Sequence, residues 1–102
     1  MINYEALGSI VLLKGGSQKL LIISRALNVK KDDEIFFFEY GGVPYPDGLI
    51  SDKMAYFNHA DISKVVFEGY RDVDDENMVE NINRFLEEHP EIKRGSVEAW
   101  MK

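Results

Sequence analysis

Apolar and polar residues alternate over the first two thirds of the chain in short β-like runs, and only after residue 72 does the period lengthen to that of a helix. Residues 7–14 and 19–25 are rich in Val, Ile and Leu. Between them lie Gly15, Gly16, Ser17 and Gln18, and the glycines supply the positive φ that a tight hairpin turn needs. A polar connection, residues 28–33, leads to a third run at 34–40. There Phe36, Phe38 and Tyr40 share one face and Ile35 and Phe37 the other, so both faces need cover. Residues 54–58 and 64–68 read as fourth and fifth strands, separated by a polar turn in which Asn58 and Asp61 bond nearby backbone groups.

The cover for the sheet is expected from one helix at about 74–89. Asp72, Asp74, Asp75 and Glu76 place carboxylates at its N-terminus, where the backbone dipole favours negative charge. Met78, Val79, Ile82, Phe85 and Leu86 then fall on one stripe, a pattern typical of core packing, and His89 and Pro90 end the run. His89 is most simply a C-terminal cap residue. The expected fold is α+β and mainly β: a curled antiparallel five-stranded meander or SH3-like half-barrel, with the C-terminal helix packed on it. Residues 1–90 form one domain in this reading. Residues 91–102 form a polar tail that Trp100 could anchor.

Between the third strand and the fourth lies the stretch Gly41, Gly42, Val43, Pro44, Tyr45, Pro46, Asp47, Gly48. Each proline fixes φ and pushes the preceding residue out of helical space, and Asp47 with Gly48 is a strong turn signal. The expectation is a stiff loop presenting Tyr45. A rigid loop loses little entropy on docking, and aromatic residues are enriched at binding hot spots. Val43, Pro44, Tyr45, Pro46 and Trp100 are therefore the candidate partner-binding residues, whereas Gly15, Gly16, Asp47, Gly48, Asn58 and Asp61 are expected to shape turns. The competing reading folds Val43 and Tyr45 over the end of the sheet. An exposed sheet edge offers a second binding route, by strand addition or homodimer pairing.

Composition narrows the classes of function. At 102 residues the chain has the size of a single domain, and no apolar run approaches the roughly 20 residues that cross a bilayer. The N-terminal residues lack the basic and long apolar segments of a secretory signal, so a cytoplasmic location is expected. With no cysteine there is no disulfide, thiol nucleophile or cysteine-bound zinc. The net charge of −6 sits in the C-terminal third: residues 65–102 hold 5 Lys+Arg against 10 Asp+Glu. Nucleic-acid and anionic-membrane partners, which need a basic face, are not expected. The acidic third reads first as a solvated helix face, and second as a docking surface for a basic partner.

Five segments in order are Leu7 to Gly16, Lys19 to Ile23, Tyr40 to Gly48, Phe57 to Ile62 and Val65 to Tyr70. Together they resemble the family called domain of unknown function 4176, over about residues 7–86. The resemblance implies small proteins of Gram-positive bacteria encoded beside type VII secretion genes and their LXG-type toxins. It further implies an accessory or chaperone-like partner of such a toxin, with no catalytic residues to carry over and no cofactor. An immunity protein that neutralises a toxin is the alternative in the same setting.

Chemical alternatives are weaker. Lys14, Gly15, Gly16 and Ser17 lack the Gly-Lys-Ser/Thr ending of a phosphate loop and a following helix. Ser24 and Ser63 have no nucleophile motif around them. His59 and Asp61 offer a histidine and a carboxylate to a small ligand-binding or hydrolytic barrel, but no third residue stands at a diagnostic metal spacing. A hydrogen-bonded turn is the simpler account of them, and no metal site is expected.

Overall fold

The computed structural model describes residues 2–97. Trp100 and the end of the expected tail lie outside the described residues. Strands β1 (Ile10–Leu13), β2 (Leu20–Lys31), β3 (Glu34–Pro44), β4 (Ala55–Phe57) and β5 (Ile62–Phe67) precede helix α1 (Val73–Glu88). The sheet has the order β4-β3-β2-β1-β5, and every pairing is antiparallel. The first four strands form the expected meander, and β5 crosses to the far side to pair with β1. Yet β4 and β5 are joined only by Asn58 and a single 3-10 turn, His59–Asp61. Two edges of one sheet so closely connected require the sheet to curl toward an open half-barrel.

The strands are longer than the apolar runs suggest. β2 does not end at Arg25 but continues through the polar residues to Lys31, in register with β3 from Leu27↔Phe38 to Lys31↔Glu34. The expected connection is thus a two-residue turn, Asp32 and Asp33, both with positive φ (52° and 65°), the conformation whose twist matches a hairpin. β3 likewise runs past Tyr40 through Gly41, Gly42 and Val43, so half of the expected stiff loop is strand. The glycines there answer to crowding. A Cβ on Gly41 would meet Leu27 Cδ1 at 2.6 Å, and one on Gly42 would meet the Leu21 carbonyl oxygen at 3.0 Å.

The core lies on one face of the curled sheet. Val11, Leu20, Ile22, Tyr40 and Phe57 meet Val79 and Ile82 of α1 and Tyr4 of the N-terminal segment. Burying a large apolar side chain stabilises the fold by about 1.5–3 kcal/mol. Asp72 caps the helix by accepting from Asp75 N at 3.1 Å. Asn83 Nδ2 donates to Ile2 O at 2.8 Å, tying the helix to the N-terminal segment. The apolar stripe read from the sequence divides: Val79 and Ile82 are buried and Leu86 half-buried, whereas Met78 and Phe85 remain partly exposed. Beyond Pro90 the chain returns to the sheet. Phe37 N donates to Lys93 O and Gly95 N to Phe37 O, each at 2.8 Å, beside the part of β3 that the short β4 leaves uncovered.

Candidate functional site

Three regions stand out, and two of them contain residues singled out by the sequence. In the first, the 3-10 turn abuts a polar cluster inside the fold. Glu39, flanked by Phe38 and Tyr40, is 3% exposed. Its Oε2 accepts from Tyr4 Oη at 2.8 Å and pairs with Arg94 Nη1 at 3.2 Å, while Oε1 accepts from His59 N at 2.8 Å. A buried carboxylate is tolerable only with such partners. Tyr40 Oη accepts from Glu5 N at 2.8 Å and lies 2.9 Å from His59 Nδ1. Burial pushes the Tyr4 phenol above its ordinary value, and the hydrogen bond to Glu39 adds to the shift; burial raises Tyr40 too. Both phenols therefore stay protonated well past neutral pH and serve as fixed hydrogen-bonding groups.

Asp61 and His59 do different jobs in this cluster. Asp61 Oδ2 accepts from Asn58 N at 2.8 Å, and Asp61 N donates back to the Asn58 carbonyl oxygen at 2.9 Å, so the two residues close the turn reciprocally. The remaining bonds of Asn58 reach outward, with Oδ1 accepting from Glu39 N and Nδ2 donating to Gly95 O. One residue thus joins the turn, β3 and the C-terminal segment. His59 turns to the Tyr4 and Tyr40 rings, with centroids 6.1 Å away in each case. Among the described residues, no group of three or more His, Cys, Asp or Glu could hold a metal ion. The participation of Glu39, Tyr4 and Arg94 was missed by sequence reasoning. A carboxylate between two aromatic residues in an otherwise apolar strand was the available signal.

The second region is the proline turn. Val43 is 2% exposed and pairs with Leu21 as a residue of β3, so its side chain lies in the core and not on the surface. Pro44 ends β3 and its carbonyl accepts from Gly48 N at 2.7 Å, closing a turn in which Gly48 has φ +82°. The Tyr45–Pro46 peptide is cis. Tyr45 is partly exposed, with Lys19 Nζ 5.9 Å from its ring centroid, and Pro46 and Asp47 are exposed. In the first hairpin turn the expected positive φ is found at Gly15 (+77°) and not at Gly16, whose N donates to Leu13 O.

The third region was not singled out. Large apolar side chains stand exposed where β5 leads into α1: Phe67 at 60%, Tyr70 at 80% and Val73 at 65%. Tyr70, Leu7 and Met78 line a groove of about 370 Å³ together with Arg25, Asp72 and Asp74. Its floor is rigid. Arg25 Nη2 pairs with Asp75 Oδ1 at 2.8 Å, and Asp75 Oδ2 also accepts from Arg71 Nη1 at 2.8 Å.

An open, curled five-stranded sheet with one helix across its inner face defines a small α+β domain of half-barrel type. Residues 4–78 match the family model described as Domain of unknown function (DUF4176), and the chain belongs to that family. The match runs from the buried Tyr4 to Met78 of α1, so it takes in the whole sheet and the residues of this groove. No curated protein and no solved structure matches the chain.

Proposed function

We propose that this chain is a non-catalytic accessory or chaperone-like protein of the cytoplasm that binds a type VII secretion substrate, an LXG-type toxin. The family resemblance supplies the partner. The observation that carries the binding reading is the exposure of the large apolar side chains Phe67, Tyr70 and Val73 where β5 leads into α1, with Tyr70 lining a groove beside Leu7, Met78, Asp72 and Asp74. Large apolar groups gathered at a surface are characteristic of interaction sites. The polar residues that could have suggested chemistry support the same reading, because Asp61 is engaged in capping its turn and both oxygens of Glu39 hold structural partners. Among the described residues, no helix is long and apolar enough to cross a membrane.

The test is co-expression with the adjacent LXG-type toxin, followed by affinity capture of either partner. Recovery of both in one complex is expected, and recovery of each alone would refute the reading. Growth of cells expressing the toxin separates the roles: an accessory protein leaves the toxin active, whereas rescue would assign immunity instead.

A further inference from the structure

The groove at Tyr70 does not end at the helix N-terminus. Met78 also lines a second hollow of about 280 Å³, bounded by Ala26 and Asn28 of β2, by Phe37, and by Asn81 and Phe85 of α1. Both hollows lie between β2 and α1 and both are lined by Met78, so they follow one another along the helix as a furrow. On the helix side the furrow is bordered by Asp74, Met78, Asn81 and Phe85, spaced i, i+4, i+7 and i+11, all exposed. This is a second helical stripe beside the core stripe of Val79, Ile82 and Leu86. At 1.5 Å per residue it runs for roughly 16 Å, about three helical turns.

We infer that this furrow docks one amphipathic helix of the protein partner, with apolar residues at i, i+3 or i+4 and i+7 facing Leu7, Tyr70, Met78 and Phe85, and with Lys or Arg on its flanks. The inference rests on the binding reading above and specifies its surface. A stripe at i, i+4, i+7 and i+11 is the pattern by which one helix receives another. The charge is complementary: Asp72 and Asp74 border the furrow, and the nearby cations Arg25 and Arg71 are held by Asp75. An extended strand fits the molecule less well. The outer strand β5 has register shifts against β1 at two places, an irregularity that blunts edges against strand addition.

The probe is a pair of synthetic helical peptides with the same leucine stripe, one flanked by lysines and the other by glutamates, titrated into the isotope-labelled full chain. The lysine peptide should shift the amide resonances of Leu7, Tyr70, Met78 and Phe85 and bind at least about tenfold more tightly than the glutamate peptide, with the preference falling as salt is added. Met78→Lys should abolish these shifts, and Asp74→Asn, which removes the charge without placing a cation at the helix N-terminus, should weaken them with only a small change in the thermal transition. Failure of both peptides to bind, equal binding of the two, or shifts confined to Tyr45 or the β5 edge would overturn the inference. So would movement of the same resonances on dilution of the chain alone, which would make a second copy the occupant. The toxin complex distinguishes this inference from the reading beneath it: a complex that survives Met78→Lys removes the furrow and leaves the binding reading standing, whereas absence of a wild-type complex removes that reading.

Discussion

Arg25 of β2 and Asp75 of α1 form an ion pair of 2.8 Å between side chains only 5% and 9% exposed, and this contact sets the helix against the sheet beneath the furrow. Asp75 also accepts from Arg71, whose Nη2 donates to Tyr4 O at 2.8 Å, so one carboxylate ties together strand, helix and N-terminal segment. Asp75→Ala would leave Arg25 buried without its counter-charge. The expected loss is about 3 kcal/mol, as for other buried pairs that lose one partner. Urea unfolding followed by circular dichroism measures it, and an unchanged midpoint would show that Asp75 does not hold the helix.

Glu39 presents the same logic inside the sheet. Its two oxygens take bonds from Tyr4, His59 and Arg94. Glu39→Gln keeps the volume, removes the charge and replaces one acceptor by a donor, so one of those donors loses its acceptor. A loss of about 2 kcal/mol is expected. Asp61→Ala, which removes only the turn cap, should cost about 1 kcal/mol. The order of the two effects is the test: a larger effect at Asp61 would contradict the assignment of Glu39 as the centre of the cluster.

Alkaline pH should weaken the fold through the two buried phenols. Burial raises both Tyr4 and Tyr40 in the folded chain above the unfolded value near 10. The folded state therefore holds these protons while the unfolded state releases them. Their contribution is fully present below about pH 10 and is lost as pH climbs from there toward the folded values. Denaturation midpoints measured from pH 8 to 11 should fall at the alkaline end, and fall less in Tyr40→Phe. An identical alkaline slope in that variant would remove Tyr40 from the account.

Gly69 allows β5 to pass the turn ahead of β1. A Cβ there would collide with the Leu7 carbonyl and lie 2.9 Å from Ser9 N, both backbone atoms, and Gly69 N donates to the buried Ser9 Oγ at 2.9 Å. Gly69→Ala should cost about 1–3 kcal/mol by overpacking. Because Leu7 and Tyr70 flank this crossing, the variant should also change their amide resonances. A wild-type spectrum would show that the crossing is looser than its geometry requires.

Much of this architecture is legible in the sequence, and the parts that are not have physical causes. The first hairpin, the aromatic third strand and the capped helix follow from periodicity and turn residues. The extent of β2 does not, because Asn28, Lys30 and Lys31 look like a connection and the turn after them uses Asp32 and Asp33 without a glycine. Gly41 and Gly42 read as loop residues, whereas long-range crowding by Leu27, Met54 and Leu21 is what requires them within a strand. Pairing of Phe37 with the segment after Pro90 depends on a contact across more than fifty residues that no local pattern encodes. Among the candidate binding residues, Tyr45 and Pro46 are exposed and Val43 is not. The furrow was hidden for a related reason. A single apolar stripe on α1 predicts one buried face, and only the placement of β2 decides that Val79 and Ile82 turn inward while Met78 and Phe85 border a groove.

Partner binding is the central proposal, and light scattering on the chain co-expressed and purified with an LXG-type toxin, the proposed partner, measures it most directly. The predicted result is one species whose mass equals the sum of toxin and accessory chain, dissociated by added salt and absent for Met78→Lys. Separate elution of the two wild-type proteins at their individual masses would contradict it.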